Sequence, residues 1–365
     1  MDNSIVRWVH RKQADDDVYY DRVSRQVFRE RSSAKIGDDE QVYSLATFDA
    51  RAPLKVYFDL SYYCNLKCRH CITNSSTQAD RASQLPTKRI LGIIDELANI
   101  GVLEIMVGGG EPLCYPDLYS ILKHMRMAGL NVQVSTNGTL ITPSVANSLA
   151  DIGLNEVRVS FDGGQQVHDS IRGLGTYQRA LGAVAILSRT TVTVVPRLTL
   201  CSNSKLGLEQ LFKDLASMGI KTIKVSDVKD AGRASLFENQ ELLNHSKRAA
   251  TVMELRDIGK RYGIMVKFPV YFPITLEEVD GREMRSSKRK NCGAGIVTAY
   301  ISPSGNVQPC SSMPRLIFGN LSTISFMDAW TSSEAATYRH LALSCGCCQL
   351  CACQSAYISS NPDTT

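Results

Sequence analysis

From about residue 54 onward, short β-branched or apolar runs alternate with longer amphipathic stretches along the 365-residue chain, the pattern of βα units wound around a parallel sheet. Six runs read as strands: VYFDLS (56–61), LEIMVG (103–108), NVQVST (131–136), EVRVSF (156–161), TVVPRLTL (193–200) and KTIKVSD (221–227). A helix is predicted after each. In the first, Ile90, Ile93, Ile94 and Leu97 share one face and Gly101 follows as a stop. The second opens after Pro116 and ends before Gly129, and a later one, LGLEQLFKDLASMG, again stops at a glycine. Six units make a partial (β/α)6 TIM-like barrel, open rather than closed, and ligands of parallel α/β folds gather at the carboxyl ends of the strands.

The flanks read differently. Residues 1–52 form an arm or hairpin of unreadable role, with VYYDRVSRQVF alternating like a strand. The barrel takes 53–268, including a long helix over 238–262. A polar, basic connector (269–290) leads to a small cysteine-rich domain (291–365), which opens with two short strands about a turn in TAYISPSGNVQPC.

Composition narrows the class. Hydrophobic residues at 44% and charged residues at 21% suit a soluble globular chain. No apolar run approaches the ~18 residues that span a bilayer, so no membrane partner is expected. The first seventeen residues scatter charges and lack an apolar h-region, so no secretory signal is read and a cytoplasmic location is expected. The net charge of +5 is mild, and the basic run 282–290 carries no interleaved aromatics, which reads as a solvated linker rather than a nucleic-acid surface. Ten of the twelve cysteines fall into two groups, 64, 68, 71 and 292, 310, 345, 347, 348, 351, 353, which favours metal over disulfides.

Cys64, Cys68 and Cys71 follow the first strand in a C-x3-C-x2-C spacing. Cubane iron-sulfur clusters ordinarily take four cysteines, so three leave one iron open to bind a reactant. Zinc is the competing reading, but its usual second C-x2-4-C pair is not nearby in sequence. The loop after the second strand is Gly108-Gly109-Gly110-Glu111-Pro112, which is also a tight strand-to-helix turn. These two loops together resemble the radical S-adenosylmethionine (SAM) superfamily. The resemblance implies that the open iron binds the amino and carboxylate groups of SAM, and that Gly108, Gly109, Gly110 and Glu111 hold the methionyl amine. Such roles are physically sensible, since glycines permit close backbone approach and a carboxylate satisfies an ammonium.

Two later segments extend the resemblance. STNG (135–138) and SFDG (160–163), the latter followed by His168-Asp169, Arg172-Gly173 and Gly175-Thr176-Tyr177, are similar to the branch of the family with a carboxy-terminal SPASM or Twitch extension. That likeness makes Ser135, Asn137, Ser160 and Arg172 candidate SAM contacts, although Asn and Ser also cap helices and form turns. Thr199, Asn203 and the segment 230–234 fall at the last strand-end motifs of that branch. His70 is expected to pack beside the cluster rather than ligate it. In the tail, Cys292-x12-Gly305-x4-Cys310 matches the opening of the SPASM motif. A second ligand pair comes from the remaining cysteines, as Cys345 with Cys348 or Cys348 with Cys351. The compressed tail suggests one Twitch-like auxiliary 4Fe-4S cluster, with two incompletely ligated clusters or zinc as alternatives. Cys114 and Cys201 read as buried free thiols.

The resemblance implies reductive cleavage of SAM by an electron from a donor such as flavodoxin or ferredoxin, and hydrogen-atom abstraction by a 5'-deoxyadenosyl radical. An auxiliary cluster that accepts the remaining electron makes net oxidation or bond formation the expected outcome. A ribosomally made peptide is the preferred substrate, matured by crosslinking, thioether formation or epimerisation. A sugar, aminocyclitol or tetrapyrrole dehydrogenase or epimerase is the alternative, and a non-enzymatic zinc-bound scaffold a distant one.

Overall fold

The computed structural model describes residues 8–13, 16–21, 27–31, 52–229, 231–237, 245–268 and 293–345. Trp8–Gln13 (β1), Asp16–Asp21 (β2) and Val27–Arg31 (β3) form an antiparallel three-stranded sheet in that order. The single strand expected within 18–28 thus contributes to two strands, and residues 22–26 between them lie outside the described residues.

The α/β body alternates as expected: Lys55–Ser61 (β4), Thr87–Asn99 (α1), Glu104–Gly109 (β5), Leu118–Met127 (α2), Asn131–Thr136 (β6), Pro143–Asp151 (α3) and Glu156–Phe161 (β7). It continues with Gln165–Arg172 (α4), Thr176–Leu187 (α5), Thr193–Leu200 (β8), Leu208–Ser217 (α6), Thr222–Asp227 (β9), His245–Tyr262 (α7) and Met265–Lys267 (β10). Strands β4 to β10 pair in parallel in chain order. The partial-barrel class read from the sequence is therefore the one adopted, with two differences. The crossover from β7 to β8 carries two helices rather than one, because Gly173 and Gly175 break the chain between them. A seventh parallel strand, β10, closes against β9. The expected helix over 238–262 is described from His245, with 238–244 outside the described residues.

Burial explains the order. Ile90, Ile93, Ile94 and Leu97 of α1 are all at most 1% exposed and meet Val56, Phe58, Ile105 and Val107 in one core, the stripe-on-sheet contact an amphipathic helix requires. Near the amino ends of the strands, Lys55 is ion-paired to Glu104, Gln133 accepts from Lys55 (3.2 Å) and Arg158 (2.6 Å), and Glu156 accepts from Arg158 (2.5 Å) and Lys224 (3.1 Å). This polar row occupies the end of the sheet opposite the cysteine loop.

The carboxy-terminal extension comprises Thr298–Ile301 (β11), Asn306–Gln308 (β12), Gly319–Asn320 (β13), Phe326–Trp330 (α8) and Ser333–Cys345 (α9). Its hairpin continues the barrel sheet: β11 runs parallel to β4, pairing Thr298 with Lys55 and Ile301 with Phe58. The first strand of an open barrel has an edge of backbone groups needing partners, and β11 supplies them. Further contacts fix the extension to α1. Arg89 Nε donates to the Leu321 carbonyl (2.6 Å) and the Phe326 amide donates to Glu96 (2.8 Å). Behind them Phe326 stacks on Trp330 with centroids 6.1 Å apart.

Candidate active site

The strand-end motifs converge on one cavity of about 380 Å³ at the carboxyl ends of the parallel strands. Its walls include Cys64, Cys68 and Cys71 after β4, Gly108 to Gly110 at the end of β5, Ser135 and Asn137 at the end of β6, Ser160 at the end of β7, and Arg172 at the end of α4. Thr199, Ser226, Arg233 and Cys310 complete them. The candidate cluster and SAM-contact residues of the barrel, Glu111 excepted, therefore border a single space, and Asn203 does not.

Local packing explains the three glycines. Gly109 has φ +112°, and a Cβ there would lie 2.3 Å from the Ser61 carbonyl oxygen, while one on Gly110 would lie 2.1 Å from the Tyr63 carbonyl oxygen. The bare backbone instead donates Gly110 N–H to Ser61 (2.7 Å) and Glu111 N–H to Tyr63 (3.0 Å). The glycine loop thus clasps the segment that launches the cysteine loop.

Glu111 does not line the cavity. Its carboxylate is 2% exposed and accepts from the Thr136 hydroxyl (2.7 Å), the Asn137 amide (2.7 Å) and the Leu113 amide (3.2 Å). Burial pushes its pKa up, and these donors oppose the shift. The acid assigned from sequence to an ammonium is turned inward, joining the second and third strand-end loops, because buried backbone N–H groups there need an acceptor. Asn137 likewise works for the loop as well as facing the cavity: its Nδ2 donates to Asn65 Oδ1 at 2.9 Å.

The cysteine loop is tied down from several sides. Leu66 N–H points at Cys64 Sγ (3.4 Å) and Ser75 N–H at Cys71 Sγ (3.3 Å). Arg233 donates from Nε to the Cys68 carbonyl and from Nη2 to the Ser75 carbonyl, both at 2.8 Å, and its amide donates to the Cys71 carbonyl at 2.9 Å. Its neighbour Gly232 is positive in φ, and a Cβ there would fall 2.4 Å from the Cys71 oxygen, so only glycine admits this approach. Burial pushes the Cys64 thiol up to about 12 and raises Cys68 as well. A metal takes such sulfurs as thiolates, so cluster loading releases their protons.

Sequence reasoning missed Asp162, the third residue of SFDG. It is 0% exposed, accepts from Arg172 Nε (2.5 Å) and Nη2 (3.1 Å), and its Oδ1 is 2.7 Å from His70 Nε2. Burial opposes its ionisation, but Arg172 and His70 outweigh that and hold the carboxyl well below the usual carboxylate range. His70 lines the cavity with the cysteines, and this hydrogen bond holds its ring. Other motif residues are architectural: Asp169 accepts from Gly175 and Tyr177 amides at the start of α5 (3.1 and 2.9 Å), and His168 is buried between Phe161 and Tyr177. Cys201 is buried, but Cys114, expected to be so, is only half-buried.

A second group lines the wall nearest the extension. The Tyr300 hydroxyl donates to Asp59 Oδ2 (2.7 Å) and lies 2.9 Å from the Tyr62 hydroxyl. Burial pushes the Asp59 carboxyl up to about 7, the Tyr300 bond opposing it. Cys310 opens onto the same cavity with Ser311 and Ser312. Cys345 ends α9, while Cys292, Cys348 and Cys351 lie outside the described residues, as do Cys347 and Cys353.

The donor set suits iron-sulfur chemistry. Among the described residues no three Cys, His, Asp or Glu side chains are grouped to hold a single metal ion. The three loop thiols instead border a shared cavity, with a glycine cradle and polar strand ends beside them, as a polynuclear cluster with an adjoining ligand requires. A family model of the radical SAM superfamily matches residues 59–201, and one of the SPASM iron-sulfur cluster-binding domain matches 292–354; together they span more than half of the chain.

The chain belongs to the radical SAM superfamily, in its SPASM branch.

Among curated relatives, the radical SAM chain is 28% identical over 293 residues to the AdoMet-dependent heme synthase of Methanosarcina barkeri, covering 78% of this chain and 83% of that one. It is also 28% identical over 304 residues to the mycofactocin maturase MftC of Mycobacterium tuberculosis, covering 82% and 76%. Its fold matches that of Streptococcus suis SuiB, solved with the precursor peptide SuiA, at a TM-score of 0.71 and 15% identity over 90% of this chain and 88% of SuiB. As a member of this family it is an enzyme, and its cofactors are SAM, a SAM-binding 4Fe-4S cluster and at least one auxiliary cluster. No helix among the described residues is long and apolar enough to cross a membrane.

Proposed function

We propose that this radical SAM enzyme oxidises a ribosomally made peptide, forming a crosslink or another new bond at one side chain. The supporting observation is that the cysteine loop and Cys310 of the extension border the same cavity, so an oxidising radical and an electron acceptor would face one substrate atom. Cys64, Cys68 and Cys71 would hold the SAM-binding cluster, with Cys310, Cys292, Cys345, Cys348 and Cys351 the source of auxiliary ligands. Bound there, the cluster and SAM supply a 5'-deoxyadenosyl radical that abstracts a hydrogen atom. Gly108 to Gly110 admit the methionyl end closely, and Ser135, Asn137, Ser160 and Arg172 meet its polar groups. A ferredoxin or flavodoxin would deliver the electron.

A cavity of about 380 Å³ lies near the low end of the ~300–1,000 Å³ usual for small-molecule sites, and a peptide can present one side chain to it while the rest of its chain stays outside. The mycofactocin maturase relative and the SuiB–SuiA fold match agree with this reading. The heme synthase relative supports a second one, a tetrapyrrole substrate.

Anaerobic reconstitution tests the enzyme's metal content. About eight irons in the parent and about four in the C64A/C68A/C71A variant are expected for one auxiliary cubane, with 5'-deoxyadenosine formed from SAM and dithionite only by the parent. Co-expression with a short peptide frame adjoining the gene should yield a peptide lighter by hydrogen loss. Stimulation of 5'-deoxyadenosine formation by a tetrapyrrole, and by no such peptide, would overturn the substrate assignment.

A further inference from the structure

One carboxylate reaches both the cysteine loop and the arginine of the cavity. Asp162 Oδ1 is shared between His70 Nε2 (2.7 Å) and Arg172 Nη2 (3.1 Å), and Oδ2 takes Arg172 Nε at 2.5 Å. Its own main chain is anchored by Ser204, whose hydroxyl donates to the Asp162 carbonyl at 2.7 Å. A parallel tie joins the same two segments, since the Arg69 amide donates to the Ile171 carbonyl at 2.9 Å. Residues 69–70 and 171–172 are thus held together both by backbone and through Asp162.

We propose that Asp162 is a positioning residue that sets the cysteine loop through His70 and aims Arg172 into the SAM-facing cavity. This rests on the assignment of Cys64, Cys68 and Cys71 to the SAM-binding cluster and of Arg172 to SAM.

The geometry of each arm supports it. His70 lies between Cys68 and Cys71, so fixing its ring fixes the turn that presents both thiols. Arg172 engages Asp162 through Nε and Nη2, a two-point grip that fixes the guanidinium plane. Nη1 is the nitrogen that Asp162 does not engage, and Arg172 lines the cavity with Cys68. Charge gives a third consequence. A buried guanidinium beside the thiolates stabilises added negative charge, and Asp162 behind it offsets that field. Neutralising Asp162 while keeping its shape leaves the cation uncompensated, which makes reduction of the adjoining cluster easier. A salt bridge that served stability alone would shift unfolding but leave this electrostatic signature and SAM affinity where they were.

The test uses the reconstituted holoenzyme with SAM as the probe. D162N should retain the parent's iron content, shift the midpoint potential of the cluster whose EPR signal responds to SAM to more positive values, and weaken SAM binding at least tenfold by equilibrium dialysis. D162E should restore most of the affinity. D162N with the parent's potential and affinity would overturn the proposal. If D162N fails to fold or load iron, H70A and R172Q carry the test separately: H70A should alter the EPR signal and R172Q weaken SAM binding, and no change in either also overturns it. A C64A/C68A/C71A variant that keeps the SAM-responsive EPR signal would instead sink the cluster assignment, leaving the two failures distinguishable.

Discussion

Replacing Asp59 by Asn should stabilise the metal-free protein increasingly as pH rises from about 4 to 7, and most fully above neutral pH. Burial lifts this carboxyl from 3.8 to about 7 despite the hydrogen bond from Tyr300. At 1.36 kcal/mol per pH unit, ionising it in the folded state costs about 4 kcal/mol. The folded state holds the proton more tightly than the unfolded one. Between pH 4 and 7 stability therefore falls as pH rises, with the penalty absent below that window and complete above it. Asn is neutral throughout, and its oxygen can still accept the Tyr300 hydroxyl. Solvent entering the cavity lowers the penalty, so D59N is expected to gain about 2–4 kcal/mol at pH 8 and close to nothing at pH 4. Urea unfolding of the reduced, metal-free chain across pH 4–8.5 reads this directly. Equal stability differences at the two ends would refute the reasoning, since a pH-independent gain would come from packing rather than a buried charge.

Three further perturbations test other parts of the structure. His168 is fully buried, neither ring nitrogen has a hydrogen-bond partner among the described residues, and burial lowers its pKa to about 4; its stability contribution is lost as pH falls from 6.5 to 4. H168F should therefore be stabilising at pH 4.5 by up to about 3 kcal/mol, with little effect at pH 8, as read by urea midpoints. A Cβ on Gly110 meets backbone 2.1 Å away, so G110A should cost about 1–3 kcal/mol of stability and reduce iron uptake, measured by calorimetry and iron assay. Glu96 accepts from both the Phe326 amide and Arg89; E96A should cost about 1–3 kcal/mol and speed amide hydrogen exchange selectively at 326–330.

Local signals in the sequence were enough to locate most of the site, and long-range pairings were not. Three strands, 131–136, 156–161 and 193–200, begin and end where the sequence pattern does, because apolar residues that alternate with polar ones mark the length of a strand with one face in the core. The loops that follow them converge because parallel βα units place every carboxyl end on one side. By contrast, the inward turn of Glu111 depends on an orphan amide 26 residues away, and the role of Asp162 depends on an imidazole 92 residues away. Spacing shows that an acid is available near a glycine turn. It does not show which buried donor claims it.

The pairing of β11 with β4 has a consequence for chemistry as well as for fold. Residues alternate across a strand, so Ala299 and Ile301 enter the apolar core while Thr298 and Tyr300 face the cavity. On β4 the same alternation buries Val56, Phe58 and Leu60 and leaves Tyr57 and Asp59 on the cavity wall. A slip of one residue would exchange the two faces of β11, burying Tyr300 in the core and turning Ile301 to the cavity. The hydrophobic cost of that exchange fixes the register, and the register puts the Tyr300 hydroxyl on Asp59. Beyond β12 the chain continues directly to Cys310, so this cysteine, proposed above as a source of auxiliary ligands, is placed against the cavity by ladder hydrogen bonds and core packing rather than by a flexible linker. Electron transfer between substrate and an auxiliary centre depends on a fixed separation, and on the proposed assignment of Cys310 the sheet itself would provide it.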